Sequence, residues 1–431
     1  QKFEDYIDQY NELDFSNKML LGDANYYRAK CAKETFNSQA EPLYNAYLDE
    51  FKGHSKNNIA FFDLGDIYYY DKNYKEALEF FKKVDDVDLK GDLKTEFLFK
   101  KSFSYFALKD FNNAIPGFKS LTLKEGKYKE EATYYLGLSQ YYTNKFKDAQ
   151  VNFQALEGSK NYGNTVPYYI TQIKFILKDY QGTIDYAEPK LPKTTLRNLA
   201  EMNHLVGNSY FQLKNYEKAG LYLENYIRDA PKVTQEDYYQ LGYINFKQKK
   251  FKEAANNFDK LSHLDNELAQ NAMFSLGDCY LKLNEKSNAR NAFLTASAMK
   301  YDKNIQEEAY FQYCKLTYEM GNNTEALSAI QKFKSTYPNS KFTTEADEIL
   351  AQVFLSTNNY DDALTLIEGM KDKTPKIQEA YQKMAYYRAI ELFNDNNFQK
   401  SDDYLNRSLK YLRDKSIEGL CYYTKSDIYH T

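Results

Sequence analysis

The sequence predicts an all-α fold, a solenoid of helix-turn-helix repeats. Three observations carry that expectation: one stretch recurs along most of the chain, its copies keep a nearly constant spacing, and no linker interrupts them. The clearest copy reads Phe61-Phe62-Asp63-Leu64-Gly65-Asp66-Ile67-Tyr68-Tyr69-Tyr70-Asp71-Lys72-Asn73-Tyr74-Lys75-Glu76-Ala77-Leu78-Glu79-Phe80-Phe81. At helical period, Phe61, Leu64, Gly65 and Tyr68 share one face of a first helix, and Ala77 and Phe81 share one face of a second. Asp71-Lys72-Asn73 is the polar turn between them. Gly65 and Ala77 fall where the helices cross, because anything larger than methyl there would push the backbones apart, while Tyr68 and Phe81 fill the space beside them.

Taken in order, the chain opens with Phe3, Tyr6, Ile7, Tyr10 and Leu13 at amphipathic spacing, which predicts a capping helix or the tail of a preceding repeat. The first full unit runs from Ala24 through Cys31 to Ala40, Tyr44 and Tyr47, and the unit around Gly65 follows. The third has Ser102 and Tyr105, then Phe111, Ala114 and Phe118, with Pro116 in the first turns of its second helix, where proline is tolerated best. The fourth carries Leu136-Gly137, Phe146, Ala149 and Phe153. The fifth departs from the pattern: Thr171 and Thr183 replace the small residues amid Gly158, Gly163, Pro167, Gly182, Pro189 and Pro192, so a bend or looser packing is expected there. Regularity returns with Val206-Gly207, Leu241-Gly242 and Leu276-Gly277, then Cys314, Leu350-Ala351 and Ala389, and Ile417 to Tyr429 reads as one further helix.

The equivalent positions are residues 28, 65, 102, 137, 171, 207, 242, 277, 314, 351 and 389, always 34 to 38 apart. Such regularity over about eleven units predicts one solenoid across 1–431. Its parts are a capping helix over 1–23, repeats one to four over 24–157, the irregular fifth repeat with a kink over 158–192, repeats six to eleven over 193–410, and a terminal capping helix over 411–431.

Composition narrows the function classes. Of 431 residues, 57 are basic and 61 acidic, interspersed to a net charge of -4, so the basic footprint that nucleic acid requires is missing. No run of 18 apolar residues exists to span a bilayer. The chain starts at Gln1 without Met, as removal of an apolar leader would leave it. Cys31, Cys279, Cys314 and Cys421 are far apart, without a C-x-x-C or a histidine at ligand spacing, and three fall at or beside helix-crossing positions as small buried hydrophobes. His54, His204, His263 and His430 are isolated. No phosphate loop, dinucleotide fingerprint, nucleophile elbow or H-E-x-x-H is present, and acid pairs such as Asp85-Asp86 and Glu130-Glu131 sit between lysines on solvated faces. No catalytic residue, metal site or cofactor is predicted, and the chain is read as a non-enzyme.

The aromatic, Leu-Gly, Tyr, Ala and Phe at these offsets closely resemble the tetratricopeptide repeat (TPR) over roughly residues 24 to 410. That resemblance implies a right-handed α-α superhelix whose first helices line a concave groove, with the residues three before and one and four after the small position pointing into it. Those positions are rich in aromatics, and Phe62, Tyr69, Tyr70, Phe106, Tyr141, Tyr142, Phe175, Phe211 and Phe246 are the predicted partner-binding residues. The stretch from Tyr69 to Phe175 is expected to form one stripe, suited to an extended peptide or a partner helix. The same positions also pack between neighbouring repeats, and the sequence does not separate exposed rings from packed ones. The position after the small residue reads Asp66, Phe103, Leu138, Gln172 and Asn208, without the cations of a carboxylate clamp.

More narrowly, Tyr26-Tyr27-Arg28-Ala29, Val166-Pro167-Tyr168-Tyr169-Ile170, Asp237-Tyr238-Tyr239-Gln240-Leu241-Gly242-Tyr243, Ala269-Gln270-Asn271-Ala272 and Leu276-Gly277-Asp278-Cys279-Tyr280-Leu281 look like the N-terminal part of long exported Bacteroidetes-type TPR proteins. This implies a periplasmic or outer-membrane-associated chain that scaffolds an envelope complex through protein or peptide partners, in a family whose members carry further C-terminal repeats. The alternative is a glycan-binding outer-membrane lipoprotein with TPR helices. Such proteins usually carry tryptophan sugar platforms and long insertions, and this chain has no Trp and compact loops.

Overall fold

The computed structural model describes residues 2–13, 18–123, 125–193, 195–357, 359–370 and 372–430, and among them every regular element is helical. Contacts divide the chain into two compact units, Gln1–Leu213 and Lys214–Thr431. The first holds α1 (Lys2–Leu13) and five hairpins: α2 (Lys18–Glu34) with α3 (Ala40–Glu50), α4 (Asn57–Tyr70) with α5 (Tyr74–Phe81), α6 (Gly91–Ala107) with α7 (Phe111–Thr122), α8 (Lys129–Tyr142) with α9 (Phe146–Gln154), and α10 (Val166–Ile176) with α11 (Tyr180–Ala187). A 3-10 turn over Glu188–Lys190 leads to α12 (Leu199–Gln212). The second unit opens with α13 (Tyr216–Asp229). Its hairpins are α14 (Gln235–Lys247) with α15 (Phe251–Asp259), α16 (Glu267–Lys282) with α17 (Lys286–Ala298), α18 (Lys303–Glu319) with α19 (Asn323–Thr336), α20 (Thr343–Thr357) with α21 (Tyr360–Glu368), and α22 (Pro375–Asn394) with α23 (Phe398–Ser408), before α24 (Lys415–His430).

Within each unit the packing rule is the same. A second helix lies against its own first helix and the next first helix, and consecutive first helices adjoin to form one layer. The boundary between the units falls between Leu213 and Lys214, whereas the stretch over 158–192 lies inside the first unit. Helix α2 begins at Lys18, so residue 23 falls inside a helix rather than at its edge. The side chains of Tyr10 and Leu13 lie outside the described residues.

The hairpin crossing is a complementary fit of volumes. A Cβ added to Gly137, Gly242 or Gly277 would stand 2.7–2.8 Å from the ring of Phe153, Phe258 or Phe293 in the facing helix, and Gly65 meets Phe81 in the same way. Where the first helix carries a larger residue, the second carries a smaller one: Cys314, Ala351 and Ala389 stand opposite Ile330, Ile367 and Leu405, all fully buried. In the fifth hairpin the exchange is complete, with Thr171 facing the position of Ala187. Ser102 keeps Phe118 but places its hydroxyl against Gly117, where a Cβ would collide with it. Arg28 is the exception among the expected small positions. It is half-buried and reaches Glu4 of α1 at 3.5 Å.

The turns repeat as closely as the crossings. Lys72, Lys109, Asn144, Lys178, Lys214, Lys249, Asn284, Gly321 and Asn396 all adopt positive φ, near +60° except Gly321 at +80°. At Lys72 the first helix is closed by a pair of hydrogen bonds: Asn73 N–H donates to the Tyr68 carbonyl at 2.8 Å and Lys72 N–H to the Tyr69 carbonyl at 3.0 Å, and the same pair recurs at Lys109, Asn144, Lys178, Lys249, Asn284, Gly321 and Asn396. Lysine is sterically strained in this conformation and glycine is not. Lys109→Gly should therefore raise stability by about 0.5–1 kcal/mol in urea unfolding. Gly137→Ala should lower it by about 1–3 kcal/mol, and adding Phe153→Ile should recover part of that loss, because an Ala–Ile pairing already serves at Ala351 and Ile367.

Candidate functional site

The turn geometry decides where the predicted groove aromatics go. The ring four residues after the small position closes edge-on over the turn onto the first ring of its own second helix. Tyr69 meets Tyr74 at 5.7 Å, Phe106 meets Phe111 at 5.5 Å, Tyr141 meets Phe146 at 5.7 Å, Phe175 meets Tyr180 at 5.6 Å and Phe246 meets Phe251 at 5.5 Å. These rings are half-buried and hold their hairpins shut. Phe62, three residues before the small position, is only 3% exposed and lies against Phe81 and Phe97 at 6.0 Å, so it has no surface to offer a partner. Phe99, Tyr134 and Phe311, at the same offset, stack on Tyr128, Tyr162 and Phe342 ahead of the next first helix at 4.6, 4.4 and 4.5 Å. Phe211 is half-buried on α12, and Phe246 belongs to the second unit.

Two of the predicted residues stand out into solvent: Tyr70, 67% exposed, and Tyr142, 52% exposed. A continuous seam of ring contacts joins them. Tyr70 meets Tyr69 at 5.9 Å, Tyr69 meets Phe103 at 5.8 Å, Phe103 meets Phe106 at 6.2 Å, and beyond the Phe106–Phe111 pair Phe111 stacks on Tyr142 at 4.8 Å. Tyr142 continues to Tyr141 at 5.5 Å and Tyr141 to Tyr169 at 5.9 Å. Five predicted residues, Tyr69, Tyr70, Phe106, Tyr141 and Tyr142, are thus brought together. Phe103, one residue after the small position Ser102, and Phe111, which the groove offsets do not select, are the links. Phe111 had a sequence signal, as the aromatic that opens a second helix.

Beside Tyr70 lies a buried network of charges that the sequence pattern did not reveal. Lys33 of α2 reaches Asp63 at 2.6 Å and Asp66 at 2.9 Å on α4, while Lys100 of α6 pairs with Asp66 and, at 2.6 Å, with Glu96. The Tyr26 and Tyr44 hydroxyls donate to Asp63 at 3.1 and 3.0 Å. Lys100 Nζ also donates to the Tyr70 hydroxyl at 3.4 Å and lies 4.6 Å from that ring's centroid. Burial works against the charged form of both lysines, but the neighbouring carboxylates outweigh it and hold their pKa values above the ordinary range. Two cations do converge on Asp66, the position that reads in sequence as lacking a clamp, but the protein's own carboxylates occupy them. The network joins three consecutive first helices and fixes the base from which Tyr70 projects.

The second unit carries the same residue at the matching place in a different setting. Asp278 follows Gly277 as Asp66 follows Gly65, and burial, with the negative Glu308 adding to it, pushes its carboxyl up to about 6 against the opposing effect of Lys282. Burial likewise pushes the Cys279 and Cys314 thiols up to about 12, keeping them protonated and unreactive. His54 serves the structure, its Nδ1 2.7 Å from the Tyr47 hydroxyl and its Nε2 3.1 Å from the Met19 carbonyl. Among the described residues no group of His, Cys, Asp and Glu is arranged to hold a metal, and no helix is long and apolar enough to cross a membrane.

This arrangement, paired helices in series with aromatic and charged side chains along the first helices, defines a helical-repeat interaction protein. Models of the tetratricopeptide repeat family match residues 34–87, 200–231, 239–304 and 308–340. The chain belongs to the TPR superfamily, whose members are generally non-catalytic scaffolds that bind protein or peptide partners. Comparison with curated proteins returns no match. Among solved structures, a tetratricopeptide repeat protein from Parabacteroides merdae is 15% identical over 60% of this chain and 98% of its own, with a TM-score of 0.36. YrrB, a TPR protein with an unusual peptide-binding site, is 17% identical over 45% of this chain and 96% of its own, with a TM-score of 0.37. The C-terminal part of a TPR repeat-containing protein from Cytophaga hutchinsonii is 16% identical over 66% and 98%, with a TM-score of 0.31.

Two substitutions test the charge assignments. Asp66→Ala leaves Lys33 and Lys100 each short of a partner in a buried setting and should cost about 3–5 kcal/mol in urea unfolding. The raised pKa of Asp278 means that the folded state resists ionisation, so stability is lost as pH rises from the ordinary carboxyl range through about 6. Asp278→Asn should therefore stabilise by about 1 kcal/mol or more at pH 7 and by almost nothing at pH 3.5, read from paired denaturation curves.

Proposed function

We propose that this protein is a non-catalytic scaffold whose first unit binds an extended peptide or a partner helix along the seam from Tyr70 to Tyr142, as part of a cell-envelope complex. The observation that carries the reading is the seam itself, an unbroken run of ring contacts with an exposed tyrosine towards each end. Tyrosine suits such a contact because it offers a large rigid surface with few rotors to freeze, and its hydroxyl can pair with a partner's backbone. The Lys33–Asp63–Asp66–Lys100 network supports the reading by holding three first helices in register under one end of the seam. The periplasmic or outer-membrane setting is supported by the resemblance of several stretches to exported TPR proteins.

Photo-crosslinking tests both parts. With benzoylphenylalanine at position 70 or 142, one shared envelope partner should be captured from cells. The same residue at Val151, exposed on second helix α9, should not capture it. Tyr70→Ser with Tyr142→Ser should abolish capture by affinity purification while leaving the circular dichroism spectrum unchanged. Equal adducts at 151, or partners retained by the double variant, would remove the seam from the function. A partner recovered only from the cytosol would remove the envelope.

A further inference from the structure

The third hairpin departs from the others at three places that lie together. At the residue before the small position, Leu64, Leu136, Ile170, Val206, Leu241 and Leu276 are buried aliphatics, and in α6 that place holds Lys101. Tyr68 and Phe80 of the second hairpin return, 37 residues on, as Tyr105 and Gly117. In the second hairpin Tyr68 stacks on Phe80 at 5.5 Å with the planes 7° apart, and its hydroxyl donates to Glu41. Tyr105 has neither a ring partner nor a hydrogen-bond partner for its hydroxyl among the described residues.

With no ring at Gly117, a pocket of about 210 Å³ opens between α6 and α7. Phe97, Leu98 and Pro116 give it an apolar wall, and Lys101, Ser102 and Tyr105 a polar one. Lys101 is half-buried, its Nζ 5.1 Å from the Phe97 ring centroid, and it forms no ion pair among the described residues. Asp86, also in the lining, lies 3.4 Å from Lys94 and is already paired. Burial holds the Lys101 amine below the ordinary lysine range, with Lys82 adding to that and Asp86 opposing it. A cation placed in the core register without a counter-ion costs the fold stability, and an anion in the pocket would relieve that cost.

We propose that this pocket is a binding site for an aromatic carboxylate, whose ring lies against Tyr105 in the place that Phe80 fills in the second hairpin and whose carboxylate pairs with Lys101. The Ser102 and Tyr105 hydroxyls are the further donors to that carboxylate. Such a group comes either as a free acid or as a phenylalanine at the C-terminus of a polypeptide. The site shares no residue with the seam from Tyr70 to Tyr142 and does not depend on it.

The test titrates para-fluorophenylacetate into the full chain at neutral pH and follows it by fluorine NMR. Saturable binding is expected. Lys101→Leu, which restores the residue of the neighbouring repeats, should weaken it about tenfold or more while the melting temperature holds or rises. Ser102→Gly with Gly117→Phe rebuilds the glycine and ring of the second hairpin and should abolish binding by filling the pocket. A short peptide ending in para-fluorophenylalanine that binds more tightly than the acid would make a polypeptide end the source, and one that is excluded would make it a free acid, with the pocket upheld in both cases. No binding of either probe, or binding that survives Lys101→Leu or the filled pocket, would overturn the proposal.

Discussion

One contact, made over and over, holds this fold together: a phenylalanine ring laid on a glycine where two helices cross. At Gly65, Gly137, Gly242 and Gly277 the facing ring occupies the space of the missing side chain. Helix crossings of this kind are set by the side chains between them, so a constant summed volume gives a constant hairpin, and constant hairpins can stack. Cys314 with Ile330 and Ala351 with Ile367 show that a larger residue on the first helix is matched by a smaller one on the second, while Thr171 with Ala187 is a smaller pair altogether. Ser102 shows the tolerance of the rule, since its extra atoms are taken up by Gly117.

The abundance of aromatics has the same origin. A repeat of two short helices has little interior, and it closes only if its turn, its crossing and its contact with the next repeat are each sealed by a large flat group. Tyr69 with Tyr74 seals a turn, Gly65 with Phe81 a crossing, and Phe99 with Tyr128 a junction between repeats. Most rings at the groove offsets are consumed in this way, and what remains exposed is the residue one beyond the turn-sealing ring. Tyr70 and Tyr142 occupy that place. In the third and fifth hairpins the same place holds Ala107 and Ile176, which lack the reach and the hydroxyl.

Charge buried under the seam serves position more than stability. Two lysines and two aspartates taken from water contribute little net energy, but they fit only one registry of α2, α4 and α6. The second unit has no such neutralisation at Asp278, whose carboxyl is raised by burial and by Glu308. Equivalent positions in the two units thus sit in different electrostatic settings.

The helices, their pairing and their period were legible in the amino-acid order, because each repeat is closed by residues within about 35 positions of one another and the small, aromatic and turn residues recur at fixed offsets. The change of residues in the fifth hairpin was legible too, since the usual small and aromatic residues are visibly absent there. Which aromatics face solvent was not, because offset alone assigns Tyr69 and Phe62 to the groove while the turn folds one over Tyr74 and the core takes the other. Nor was the meeting of Lys33 and Lys100 at Asp66, from helices on either side of α4, which is a coincidence of side-chain reach that no periodicity encodes. Repeats advertise contacts made at constant separation, and side-chain contacts unique to one place are written only in three dimensions.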